Sequence, residues 1–420
     1  MLYLKMYQIS RRYPEMKTCL RPEEYLKRAF GTAMAFFTLP LAIDGWSAYQ
    51  TGTYNEVVIP ELIDELAAAG RREEADGLRQ HWETKARCFI RDNPNLFGSE
   101  YPFDSTGFES THALAKYALE RAPAAGGKQA GGLDITREEV EQFMGRQTAA
   151  NIMCRGWLET AYYHLGSDFR GCGSSAYTLS YMSQMGGGSL LDYALYYARD
   201  PVAYLRLAYA SILSSWALMN TGRHESHYGY WYPGRENDGA AGGGFEPEPF
   251  GRTWLEQPHS RGAWYSGCEI DLGYGGALRA AATIVAEDPI FGYFCYGGTL
   301  KESGGAVEVV PRDGVRRRFH VLRGDRRLHM LLERDHFAAE TPIVFRPDLS
   351  ELSFALESAS RAAHSALLRL SGLADGWYEV RMDGRLPAGA VAAKHGELRL
   401  ELLVLAGVQS VRVAISRQKG

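Results

Sequence analysis

The sequence lacks any continuous run of the roughly 20 apolar residues that a membrane-crossing helix requires. Its most apolar stretch, AFGTAMAFFTLPLAI at 29–43, is too short and is interrupted by Pro40, so it reads as a helix of a soluble core. The opening MLYLKMYQISRRYPE also lacks the ordered basic start, apolar middle and small-residue cleavage site of a secretion signal. A cytoplasmic chain is the expectation, or a secreted one whose true start lies upstream. Positive charge is in short supply too: 46 Lys and Arg stand against 50 Asp and Glu, a net charge of −4. Such a balance supplies no field to hold nucleic acid, and neither a nucleic-acid partner nor a membrane is expected.

Cysteine is sparse and scattered. Cys19, Cys88, Cys154, Cys172, Cys268 and Cys295 form no CxxC spacing, which argues against a zinc site or a disulfide framework and for buried thiols. Phosphate-cradling Gly-Lys loops, zinc-protease helices and GxSxG elbows are missing, and GYGGAL at 273–278 is too short for a dinucleotide fingerprint. No metal and no cofactor is therefore expected.

Apolar residues at three- and four-residue spacing recur from about 22 to 165. RPEEYLKRAFGTAMAFF has a Pro at its start. NEVVIPELIDELAAAG ends on Gly70, a helix C-cap residue type. TREEVEQFMGRQTAANIMCRGWLETAYYHL opens with the Thr136 to Glu139 capping-box spacing. Pro201 is expected to start a new helix after Asp200, and GGALRAAATIVAED reads as the last of about nine helices. Beyond Pro289 the pattern becomes strand-like, with hairpin punctuation at Asp313-Gly314. The expected domains are a helical one over 1–289 and a smaller β domain over 290–420.

The segment from Gly234 to Gly276 crowds carboxylates and large aromatics among glycines. A solvated loop accounts for the glycines and the charges but not for Trp254, Trp264 and Tyr265, which are costly to leave in water. Acids beside aromatics suggest a cleft. Flat rings take the CH-rich face of a sugar while carboxylates, amides and Arg bind its hydroxyls. A carbohydrate partner is thus the expectation, with no basis for assigning an oligomeric state.

Cleavage of a glycosidic bond needs two carboxyl groups, one protonated and one ionised. Glu109 in DSTGFEST is one candidate, read as lying in the first turn of a helix whose dipole favours its ionised form. Glu269 and Asp271 in SGCEIDLGYGG would share one face of an extended segment, and Glu246 lies in the proline-rich FEPEPF at 245–250. Asp104, His112, Arg155, Trp157, His227, Tyr230, Trp231, Asp238, Trp254, His259, Arg261 and Trp264 are the candidate substrate-binding residues. Two other readings stay open. His227, Tyr230, Asn237, His259 and Arg261 contain the residue types of a polysaccharide lyase, although so acidic a segment would repel a uronate polymer. A noncatalytic sugar-binding protein would keep the aromatics without the acid–base pair. In the β part, Trp377 and Tyr378 are the aromatics available to touch substrate.

Blocks such as FDSTGFEST, SSAYTLSYMSQMGGGSLLDYALYYARDP, LSSWALMNTG, YGYWYPGRENDGAAGGGFEPEPFG and AWYSGCEIDLGYGGALRAAATI, spanning about 100 to 290, resemble an uncharacterised bacterial family. That family is similar in turn to carbohydrate-active proteins, both glycoside hydrolases and polysaccharide lyases. The resemblance implies a mainly α fold: an (α/α) toroid of helical hairpins followed by a smaller antiparallel β-sandwich.

Overall fold

The computed structural model describes residues 1–39, 48–49, 57–92, 105–121, 133–155, 180–216, 253–254, 257–258, 278, 280–384, 390–406 and 410–418. Of 105–109, 150–155, 180–185, 214–216, 253–254 and 257–258 only the backbone is described. The chain divides into two compact units, Met1–Tyr193 with Leu207–Gly273, and Ala194–Arg206 with Tyr274–Gly420.

In the first unit α1 (Leu2–Arg12) packs on α2 (Pro22–Thr38), and α3 (Ile59–Ala68) packs on α4 (Arg72–Arg87), which runs into a π-helical turn at Cys88–Asp92. α5 (Ser105–Arg121) then packs on α6 (Arg137–Arg155). α7 (Ser180–Tyr196) and α8 (Pro201–Trp216) follow, their facing ends counting with the second unit. Local signals explain several boundaries. Gly70 adopts φ +78° just past α3, and Arg71 donates its N–H back to the Leu66 carbonyl, closing the helix end. At the start of α6 the Thr136 hydroxyl accepts the Glu139 N–H at 3.2 Å, while the Thr136 N–H donates to the Glu139 carboxylate at 2.8 Å. Arg91 grips the same carboxylate at 2.7 Å and also reaches Asp134 at 2.9 Å. The Arg hydrogen bonds hold Glu139 and Asp134 each down at about 2. Gly187 lets α7 approach α8 closely, since a Cβ there would lie 2.9 Å from the Ala208 carbonyl oxygen. A two-residue ladder, β1 (Thr253–Trp254) with β2 (Gln257–Pro258), ends the described part of this unit.

The second unit holds β3 (Thr283–Asp288), β4 (Gly292–Tyr296), β5 (Gly298–Ser303), β6 (Ala306–Pro311), β7 (Arg318–Arg323), β8 (Arg326–Leu332), β9 (His336–Phe337) and β10 (Ile343–Phe345). It continues with β11 (Glu351–Glu357), β12 (His364–Ser371), β13 (Gly376–Met382), β14 (Ala390–Ala393), β15 (Glu397–Val404) and β16 (Ser410–Arg417). One sheet runs β14-β13-β16-β11-β10-β6-β5, with β9 on β11; the other runs β15-β12-β8-β7-β3-β4. A single apolar core joins them, with Phe319, Val321, Met330 and Leu368 from one sheet and Val309, Phe345, Phe354 and Val413 from the other. β15 shows the cause in its sequence, ELRLELLV, where Leu398, Leu400, Leu402 and Val404 are buried and the residues between them exposed.

These findings correct the expected toroid. The helices pair in sequence, α1 with α2, α3 with α4 and α5 with α6, and the described residues form no obvious toroid. The strands form a large two-sheet region in place of a small appendix to a mainly α chain. That region is mixed, because β3 runs parallel to β7. TIVAED, read above as helix, is strand β3: Thr283, Ile284, Val285 and Ala286 are all buried, so the strand has no polar alternation and resembles a helix interior. Asp313-Gly314 is a turn but not a hairpin. β6 and β7 lie in different sheets, and the Asp313 carboxylate caps the crossing by accepting the N–H groups of Val315 and Arg316. The expected buried thiols need correction as well, since Cys19 is exposed and Cys88 and Cys295 are half-buried. Burial nevertheless pushes the Cys295 thiol up to about 12.

Two histidine arrangements in the second unit have opposite pH signatures. His320 on β7 faces His329 on β8, Nδ1 to Nδ1 at 2.9 Å, with both rings buried and the Tyr196 ring 4.5 Å from that of His329. Burial, helped by the charge of Arg327, holds His329 down at about 4; burial, then His329 and Arg318, hold His320 well below the ordinary range. The unfolded chain binds these protons first, so stability is complete above about pH 6.5 and falls as pH drops toward 4, by about 2–3 kcal/mol. Urea unfolding of the wild type against His320→Leu/His329→Leu checks this; the double variant is expected to lose that slope, and an unchanged slope refutes the assignment. His364 behaves in reverse. Its Nδ1 donates to the Ala362 carbonyl at 3.0 Å and its Nε2 to the Asp335 carboxylate at 2.7 Å, and these bonds raise its pKa. That contribution is present below about pH 6.5 and is lost as pH rises through the raised value.

Candidate functional site

The helical unit has an apolar interior with one polar interruption. On α5, Leu114, Ala115, Tyr117 and Ala118 are buried as the helical period demands, yet Ser110, Thr111 and His112 are buried with them. On α7, Asp192 interrupts the buried run of Leu190, Leu191, Tyr193 and Ala194. These two interruptions meet: His112 Nε2 lies 3.2 Å from Asp192 Oδ2, with the imidazole 8% and the carboxylate 27% exposed. Ser189, three residues before Asp192, is buried, as are Gln147 and Thr148 on α6. The helical unit thus buries an imidazole beside a carboxylate, and buries hydroxyl and amide side chains elsewhere on the same helices.

A carboxylate beside a histidine fixes the orientation of the ring, which suits the pair to proton transfer or to orienting a polar ligand. Burying such groups costs several kcal/mol unless they are mutually satisfied, so close packing alone gives no reason for them. Among the described residues no three His, Cys, Asp or Glu side chains group as a metal site, and no helix is long and apolar enough to cross a membrane.

His112 is the one proposed site residue whose side chain is described. Glu109 lies on α5 three residues before His112, on the same side of the helix by spacing. The helix begins at Ser105, which makes Glu109 its fifth residue and leaves no acid in the first turn; the dipole argument for its ionisation is therefore corrected, because that effect fades beyond the first turn. Arg155 ends α6 and Trp254 ends β1, both with backbone alone described. Asp104, Trp157, His227, Tyr230, Trp231, Asp238, Glu246, His259, Arg261, Trp264, Glu269 and Asp271 lie outside the described residues. Asp192 is the residue that sequence reasoning missed. Its signal was available in SLLDYALYY: a lone acid inside an apolar helical run.

Residues 1–126 match a family described as a family of unknown function, DUF5695. Of the sequence blocks quoted above, only FDSTGFEST falls inside that match. No curated protein matches the chain. Among solved structures it is similar to a GH127 beta-L-arabinofuranosidase from Geobacillus stearothermophilus T6, at 11% identity and a TM-score of 0.30 over 94% of this chain. The chain spans 57% of that enzyme's length.

Proposed function

We propose that the protein is a glycoside hydrolase acting on an oligo- or polysaccharide, with its chemistry in the helical unit. The observation that carries this reading is the His112–Asp192 pair, its imidazole buried three residues along α5 from Glu109. In this reading Glu109 supplies one of the two carboxyl groups that glycoside cleavage requires, and Glu269, Asp271 or Glu246 supplies the other. Trp157, Tyr230, Trp231, Trp254 and Trp264 offer stacking faces. Asp104, Arg155, His227, Asp238, His259 and Arg261 bind hydroxyls. His112, oriented by Asp192, positions substrate beside Glu109. The acidic, aromatic and glycine-rich composition of 234–276 supports a neutral saccharide over a charged one.

Asp192→Asn tests the role of the pair. It keeps size and hydrogen bonding but removes the charge that orients the imidazole. The expected result is a ten- to hundredfold fall in kcat with KM within a few-fold, the signature of an interaction made mainly in the transition state. Unchanged kcat would remove the pair from the mechanism.

A further inference from the structure

The β-rich unit carries an exposed indole that its own packing does not explain. β13 alternates, and its inward residues are fixed: Tyr378 is 1% exposed and donates its hydroxyl to the Ala374 carbonyl at 2.9 Å, and Val380 lies in the core. Trp377 is thereby turned to the opposite face, where it is 58% exposed. By contrast Trp82, in the helical unit, is fully buried. Trp377 lines a groove of about 640 Å³, within the roughly 300–1,000 Å³ of small-molecule sites.

The other walls of the groove are polar and held in place. Arg417 donates to the Asp375 carbonyl at 2.8 Å, and its guanidinium lies against Gly376, where a Cβ would sit 3.4 Å from Nε. The Gln418 N–H donates to the Trp377 carbonyl at 2.9 Å, tying the chain end of β16 to β13. Across from these, Asp348 Oδ1 accepts both the hydroxyl of Ser350, at 2.7 Å, and its N–H, at 3.1 Å. Glu351 is paired with Arg346 at 2.9 Å.

We infer that this groove binds a neutral saccharide, stacked on Trp377 and hydrogen-bonded through its hydroxyls to Asp348, Glu351, Arg417 and Gln418. The chemistry separates this ligand from its competitors. The lining holds two carboxylates and one guanidinium, the latter already donating to the Asp375 carbonyl, so it offers no cluster of cations to hold an anionic ligand such as a uronate or a sulfate. One ring without further aromatics is not the cage that holds a quaternary ammonium. A flat apolar face bordered by fixed hydrogen-bond acceptors and donors matches a polyol ring, one face CH-rich and the rim hydroxylated. The site lies within the β-rich unit and does not rest on the catalytic reading of the helical unit. It would hold a saccharide chain on the protein whether or not the helical unit cleaves it.

Affinity electrophoresis of the full chain tests it, in gels containing soluble glucan, xylan, mannan or galactan, with polygalacturonate as the anionic arm. Retardation in at least one neutral gel is expected, weakened about five- to tenfold in Trp377→Ala and partly kept in Trp377→Tyr. Because the indole is mostly exposed, the unfolding midpoint of Trp377→Ala should match the wild type, and Asp192→Asn should be retarded like the wild type. Wild-type retardation retained in Trp377→Ala, retardation by polygalacturonate alone, or no retardation in any neutral gel would each overturn the inference.

Discussion

Under the proposed hydrolysis, replacing Glu109 by Gln is expected to lower saccharide turnover by about 10²–10⁴-fold while leaving affinity within a few-fold. Glutamine keeps the size and hydrogen-bonding reach of the side chain and cannot exchange a proton at neutral pH. Glu269→Gln is expected to act with the same magnitude, because glycoside cleavage fails when either carboxyl group is lost. Steady-state kinetics with matched binding measurements check both variants. Full activity in Glu109→Gln would move the chemistry away from α5; full activity in both would remove the proposed acid–base pair altogether.

Gly372→Ala is expected to destabilise the β-rich unit by at least about 4 kcal/mol. Two costs combine at this position. Gly372 adopts φ +89°, which an L side chain disfavours by roughly 1–2 kcal/mol. A Cβ there would also overlap the Arg327 carbonyl oxygen and lie 2.7 Å from its carbon, both backbone atoms of β8 that cannot rotate aside. The side chain of Arg327 meanwhile donates to the carbonyls of Ala194, Leu195 and Ala198. Displacing its main chain would therefore loosen the 194–198 segment as well as the sheet. Gly314→Ala separates the two costs, since Gly314 has φ +81° with nothing within 4 Å of a Cβ. Urea unfolding should place Gly314→Ala about 1–2 kcal/mol below the wild type. A Gly372→Ala variant no less stable than Gly314→Ala would contradict the close approach.

The contrast between those glycines also shows what a sequence discloses. Signals carried by neighbouring residues were legible: Thr136 with Glu139 starts α6, Gly70 closes α3, Pro201 opens α8, and the alternation of ELRLELLV marks β15. Signals that depend on a distant partner were not. TIVAED has no alternation because both of its faces are covered, so its periodicity could not separate strand from helix. The Asp313-Gly314 turn was visible, but nothing local records that it links two sheets. The toroid came from resemblance and had no support in spacing. Of the candidate site, His112 was legible as a polar residue on a helix with an apolar face. Its partner Asp192 lies 80 residues away in sequence (192 − 112), and only packing brings the two together. Of the two β-part aromatics that the sequence offers to substrate, Tyr378 is core and its neighbour Trp377 is turned outward.

The central claim, hydrolysis of a saccharide, is tested most directly by incubating the purified chain with a panel of neutral and uronic polysaccharides, following new reducing ends and ultraviolet absorbance together. The account predicts new reducing ends from at least one neutral polysaccharide without new absorbance. Absorbance rising with the reducing ends would make the protein a lyase, and the absence of both signals across the panel would contradict catalysis on saccharides.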